Sequence, residues 1–156
     1  MRTVLWFLKA AVFIISKIPA MKRAEKLKAL GDESYRDIAN ATVSDFGRKM
    51  LTFAGADYEL EGEENLPDYP VIYVANHQSD FDIAIMLFIL EETYGLVAKD
   101  DLAKIPFVKN WMELIDCVFL DRSDPRKALR TLGEAGSLIP QGRSITIFPE
   151  GTRSKG

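Results

Sequence analysis

One cysteine, Cys117, and one histidine, His77, are all that this 156-residue chain has of either type. A lone thiol closes no intramolecular disulfide, and one Cys with one His cannot supply the several nitrogen and sulfur ligands of an ordinary zinc site. Metalloenzymes built on His/Cys clusters are therefore excluded. Long hydrophobic runs are also missing. The most apolar stretch, Thr3 to Ile15, is interrupted by Lys9, whereas a bilayer-crossing helix needs about 20 mostly apolar residues. Internal repeats and low-complexity linkers are absent as well.

What is there suits one globular domain of α/β size: 47% hydrophobic and 28% charged residues with a net charge of -3. At this length, about 68–70% of the unfolded surface can be buried without disulfide staples. The total charge hides an asymmetry. Residues 1–28 carry Arg2, Lys9, Lys17, Lys22, Arg23, Lys26 and Lys28 against the single acid Glu25, so they hold a net +6 and leave -9 on the remainder. An acidic body offers no face that neutralises nucleic-acid phosphates, so no nucleic-acid partner is expected. A basic, apolar N-terminus points instead to an anionic membrane surface.

Read as a helix, the N-terminal stretch lines up Arg2, Lys9 and Ser16 as a narrow polar stripe, with Leu5, Trp6, Leu8, Val12, Phe13 and Ile15 around the rest. This is the pattern of a helix lying in the membrane interface. A spanning or signal segment and a soluble core helix are the alternatives. Lys9 inside the apolar core, Lys17 close behind it and the lack of a clear cleavage site weigh against a signal peptide. A second helix is expected from about residue 34, capped by Asp32 or Ser34, with Tyr35, Ile38, Thr42, Phe46, Met50 and Phe53 at helical spacing. Its apolar face suits either core packing or a hairpin with the first helix. The expected organisation is thus a membrane-associating helical segment over residues 1–54 and an α/β domain over 55–156.

Beyond residue 55 the pattern changes period. Asp57–Glu61 reads as a short strand and Val71–Ala75 as a buried one. Asp80–Glu92 reads as helical, Gly95–Ala98 as extended, and Leu102–Leu114 as helical with a break at Pro106. Cys117–Leu120 follows as extended, then a helix from Pro125 to about Leu138 capped by Asp124, and a strand over Ser144–Phe148. Strands alternating with helices imply a largely parallel sheet flanked by helices. In such sheets chemistry gathers at the carboxyl ends of strands. Three polar clusters fall there: Asn76–Asp82, Asp121-Arg122 and Pro149–Ser154.

His77 stands where a strand gives way to a helix, five residues before Asp82. Within one regular helix the two would sit about 140° apart and could not pair. With His77 in the preceding loop, Asp82 can turn back, fix the imidazole tautomer and leave the other nitrogen to take a proton. A capping or surface histidine is the plainer alternative. Arg122 and Arg153 offer guanidinium forks suited to phosphate oxygens. Gly151 allows a tight turn with exposed amides, the geometry of an anion cradle. Glu150 can pair with Arg153 or bind a substrate hydroxyl. Cys117, within an apolar strand, reads as an inert thiol. Ser79 lacks the G-x-S-x-G elbow of a serine hydrolase.

His77 with Asp82 resembles an H-x4-D motif. Val118–Arg122 resembles a second block ending in Arg, and Phe148-Pro149-Glu150-Gly151-Thr152-Arg153-Ser154 a third. In this order, over roughly Glu59 to Lys155, the blocks resemble the PlsC-type 1-acyl-sn-glycerol-3-phosphate acyltransferase family. The resemblance implies a glycerolipid-acyltransferase-like α/β fold. It also implies transfer of a fatty acyl group from acyl-CoA or acyl-carrier protein to the free hydroxyl of lysophosphatidate, giving phosphatidate without an acyl-enzyme; a lysolipid acyltransferase with another head group and a truncated, non-catalytic membrane-associated module are the alternatives. By the same resemblance His77 is the general base and Asp82 orients it. Arg122, Glu150, Gly151 and Arg153 hold the phosphorylated acceptor, with Lys99 of a Lys-x-x-Leu segment as a further phosphate ligand. No cofactor or metal is implied beyond the acyl co-substrate, and the basic N-terminus implies a membrane-associated protein on the cytoplasmic face. The second block of that family usually has glycine where Asp116 or Cys117 stands. The family also continues beyond the third block, which implies that part of the sheet lies outside these 156 residues and that the strand over Ser144–Phe148 stands at a sheet edge.

Overall fold

The computed structural model describes residues 2–90, 94–121 and 123–151. The chain divides into two compact units, a helical one spanning Met1–Glu61 and Ser79–Glu92 and a sheet one spanning Gly62–Gln78 and Thr93–Gly156.

The helical unit contains α1 (Arg2–Ser16), α2 (Ile18–Ala29), α3 (Tyr35–Ala54) and α4 (Phe81–Ile89). Pro19 opens α2, a position where its missing N–H costs nothing. Gly55, at φ 68°, ends α3 in the left-handed conformation that glycine adopts without strain. α4 joins this unit because it is apolar almost all round and lies against α3. Their backbones come so close that a Cβ on Gly47 would stand 2.4 Å from the Ala84 carbonyl oxygen. Ala10, Met50, Leu51 and Ala84 form the centre of the core, flanked by Trp6, Phe46, Phe53, Ile85 and Phe88.

α1 is thereby divided. Trp6 and Ala10 face the core, and the Trp6 indole N–H donates to the Met50 carbonyl at 3.1 Å. Val4, Leu5, Phe7, Leu8, Val12 and Ile15 are exposed. Lys9 does not sit apart from the apolar residues, because its ammonium lies 5.4 Å from the centre of the Phe53 ring, over its face. Among the described residues no single helix is long and apolar enough to cross a membrane. The pair that reaches the length together, Thr3–Ser16 with Ile18–Ala29, is bent by 43°.

The sheet unit holds β1 (Ile72–Val74), β2 (Tyr94–Lys99), β3 (Val118–Leu120) and β4 (Ser144–Ile147), with α5 (Val108–Leu114) and α6 (Pro125–Gly136). All three pairings are parallel, in the order β1-β4-β2-β3. The expected parallel α/β sheet is present. Asp124 caps α6 as expected, accepting from the amides of Arg126 at 2.9 Å and Lys127 at 3.2 Å.

Three expectations need correction. Asp57–Glu61 is not a strand: its residues are exposed and irregular, since alternation supplies one apolar face but not the neighbouring backbone a strand must bond. β1 is not buried. It pairs only with β4, and Ile72 and Val74 stay 47% and 67% exposed. Nor is Ser144–Phe148 at an edge, for β4 lies between β1 and β2 with Ile145 and Thr146 fully buried. Asp116 has φ 57°, a left-handed conformation that Asp tolerates better than most residues. Its carboxylate pairs with Arg143 at 3.0 Å, and its carbonyl oxygen lies 2.3 Å from where a Cβ on Gly95 would be.

Candidate active site

Because every strand of the sheet runs the same way, the segments after β1, β2, β3 and β4 all leave from one edge. Ala75 extends the β1–β4 ladder by donating to the Ile147 carbonyl at 3.2 Å. His77 follows in the loop, outside any helix, the placement under which its sequence spacing allowed Asp82 to turn back. Two residues of the third block hold it. Its backbone N–H donates to Glu150 Oε1 at 3.3 Å, and its imidazole stacks on Phe148 with ring centres 4.6 Å apart and planes tilted by 30°. The first and third blocks, 71 residues apart at His77 and Phe148, thus converge on one side chain.

Gly151 closes the turn after β4 with φ 67° and donates to the Phe148 carbonyl at 3.0 Å. A side chain there would be strained, so the glycine serves the turn that brings Glu150 back to His77. Lys99 ends β2, in register with Leu120 of β3. Its ammonium is paired with Asp101, which also takes Lys104 at 2.7 Å. Hydrogen bonds from Lys104 and then Lys99 hold the Asp101 carboxyl down at about 2, so it is ionised throughout the physiological range. Asp121 accepts from the Ser123 hydroxyl at 2.6 Å and its amide at 2.9 Å, and those bonds keep its carboxyl below the ordinary range. Arg122 and Arg153 lie outside the described residues.

Asp82 belongs to the first turn of α4, in the helical unit. Both of its oxygens accept hydrogen bonds from Ser79, Oδ2 from the amide at 2.8 Å and Oδ1 from the hydroxyl at 3.2 Å. Sequence reasoning weighed Ser79 only as a nucleophile and passed over this role. The signal was present, since Ser-x-x-Asp at a helix start is the spacing of a capping box. The Phe148 stack carried no comparable signal. Cys117 is buried and donates nothing to the edge. The Leu96 amide points at its sulfur, 3.3 Å away, and burial pushes its thiol up to about 12, as an inert thiol requires. Among the described residues no group of His, Cys, Asp and Glu side chains is arranged to hold a metal ion.

A model of the Acyltransferase family matches residues 57–156. The chain belongs to the acyltransferase family. A probable 1-acyl-sn-glycerol-3-phosphate acyltransferase of Mycoplasma pneumoniae is 31% identical over 91% of this chain and 55% of its own length. A 1-acyl-sn-glycerol-3-phosphate acyltransferase of Saccharomyces cerevisiae is 38% identical over 72% of this chain and 38% of its own length. The crystal structure of the 1-acyl-sn-glycerophosphate (LPA) acyltransferase PlsC from Thermotoga maritima matches with a TM-score of 0.73 and 32% identity, covering 99% of this chain and 64% of that one. The acyltransferase chain therefore spans about half the length, or less, of the curated relatives just named.

Proposed function

We propose that this acyltransferase moves a fatty acyl group from a thioester, acyl-CoA or acyl-carrier protein, to the free hydroxyl of 1-acyl-glycerol-3-phosphate, forming phosphatidate. The observation that carries the reading is the convergence of Phe148 and Glu150 on His77, with relatives of that name alongside. In the proposed reaction His77 takes the proton of the acceptor hydroxyl as its oxygen attacks the thioester carbonyl. The carbon–sulfur bond then breaks and the thiolate leaves, taking up a proton to become the free thiol. Asp82 orients His77. Arg122, Arg153 and the turn at Gly151 take the acceptor phosphate, which suits guanidinium forks and exposed amides. Lys99 adds positive charge at the same sheet edge once a phosphate competes with Asp101 for it. Glu150 supports the His77 backbone.

Both substrates carry acyl chains, and the outward side chains of α1 suit a membrane surface. We place the helical unit in the interface on the cytoplasmic face, with the basic residues of α2 facing anionic headgroups. The test is release of free thiol and formation of phosphatidate from lysophosphatidate and either donor in mixed micelles. Transfer that depends on His77 supports the reading. Transfer to another lysolipid but not to lysophosphatidate reassigns the acceptor, and no transfer from either donor overturns it.

A further inference from the structure

Ser79 makes more hydrogen bonds than a helix cap requires. A helix start needs an oxygen to accept from an amide of the first turn, and Ser79, just before the N-cap Asp80, accepts from Phe81 N at 3.1 Å. Such an arrangement leaves the hydroxyl proton for water. Here it goes instead to Asp82 Oδ1 at 3.2 Å, while the Ser79 amide donates to Oδ2 at 2.8 Å. A third bond, from Asp82 N to the Ser79 carbonyl at 3.3 Å, closes the turn. One residue therefore supplies a donor to each oxygen of the carboxylate, which fixes both its rotation and the direction of its remaining lone pairs. All of this lies within Ser79–Asp82, at the start of α4 and half-buried.

We propose that Ser79 is a positioning residue for acyl transfer, one that orients the Asp82 carboxylate and acts on the reaction only through it. The inference rests on the proposed role of Asp82 toward His77. A hydroxyl that aims a carboxylate leaves substrate affinity alone and affects turnover. A catalytic group misplaced by about 1 Å can cost roughly 10²-fold in rate.

The kinetic test uses Ser79→Ala, Ser79→Thr and Ser79→Asp. Ser79→Ala is expected to lower kcat about tenfold with both KM values unchanged, and Ser79→Thr, which keeps the hydroxyl, to restore it. Ser79→Asp keeps a good cap acceptor but has no proton to give, so it is expected to fall with Ser79→Ala. Full activity in Ser79→Asp would mean that the cap alone matters and would overturn the proposal. In an Asp82→Ala background Ser79→Ala is expected to cost nothing further, because the two act as one unit. Additive losses would show that Ser79 works by another route.

A second readout needs no turnover. His77 is the only histidine, so imidazole nitrogen NMR gives one ring to follow, and its tautomer ratio reports how firmly the ring is oriented. Ser79→Ala and Asp82→Ala should shift that ratio alike while Ser79→Thr leaves it unchanged. A ratio that moves in Asp82→Ala alone overturns the Ser79 proposal and spares the functional reading. A ratio that moves in neither removes the Asp82–His77 relation on which both depend.

Discussion

The helical and sheet units use the same kinds of apolar residue to different ends. In the sheet unit the inner strands bury theirs, Leu96 of β2 and Ile145 of β4, while Ile72 and Val74 of the edge strand β1 stay exposed, and polar clusters follow the strand ends. In the helical unit α1 is apolar on two faces; among the described residues the Trp6–Ala10 face packs on the core, while Val4, Leu5, Phe7, Leu8, Val12 and Ile15 stay exposed. The proposed membrane surface rests on that exposed face. The lesson is a division of labour. The sheet edge holds a few side chains in fixed places, whereas the helical unit presents area, with Lys9, Lys17 and Lys28 lying over the rings of Phe53, Phe13 and Tyr35. Asp82 is the exception, a candidate catalytic group carried by the helical unit.

The comparison breaks most sharply at His77. Changing it to Ala should lower acyl transfer by ~10²–10⁴-fold, typical of a lost general base, with vesicle binding unchanged. Parallel transfer and flotation assays check both halves, and more than half the activity retained would remove His77 from the mechanism. Cys117 probes how dry the sheet unit is. Because burial pushes its thiol up to about 12, alkylation at pH 8 should run at least ~10²-fold slower in the native protein than in urea. Equal rates would mean that β3 is open to solvent.

Gly47 tests whether the helical unit depends on close approach. Gly47→Leu drives side-chain atoms into the Ala84 carbonyl and the Phe88 amide, and should cost about 1–3 kcal/mol in denaturant unfolding. Unchanged stability would show that α3 and α4 separate freely. The outward face of α1 is probed by Leu8→Glu with Val12→Glu, which leave Trp6 and Ala10 in place. These should weaken binding to anionic vesicles about tenfold or more, as two apolar side chains are kept out of the interface. Deleting residues 1–28 should move the protein to the soluble fraction as well, but it also strips Trp6, Ala10, Met21 and Ala24 from the core, so the point changes are the cleaner measurement. Raising the salt should weaken the electrostatic part alone.

The smallest expected effect is at Asp45. Partial burial pulls its carboxyl upward, but Lys17 at 3.1 Å and Arg48 at 3.3 Å outweigh this and hold it below the ordinary value. A group lowered in the folded state stabilises above its unfolded value, and that contribution fades as the pH falls through the folded one. Asp45→Asn should therefore cost a fraction of a kcal/mol at pH 7, typically ~0.2–1 for pairs of this exposure. The gap from the unaltered chain should close toward pH 3.

Much of this was legible in the residues alone. The cap and breakers at Asp124, Pro125 and Pro106 act over a few positions, so α6 and the interruption before α5 follow from local chemistry. The three polar clusters could be assigned to strand ends because a period change and a turn signal are local too.

Tertiary structure decided what depends on neighbours distant in the chain. Val71–Ala75 and Ser144–Phe148 look equally apolar, yet β1 lies at an edge and β4 at the centre, because strand order is set by which backbones pair and no local pattern records it. The same holds for α1, where helical spacing named its apolar residues but only α3 and α4 chose which of them to cover. The sequence by itself determined roughly where the chain turns and which polar side chains follow the strand ends. Only the fold decided that Phe148 and Glu150 would meet His77, since the contact spans more than seventy residues and rests on the parallel pairing of β1 with β4.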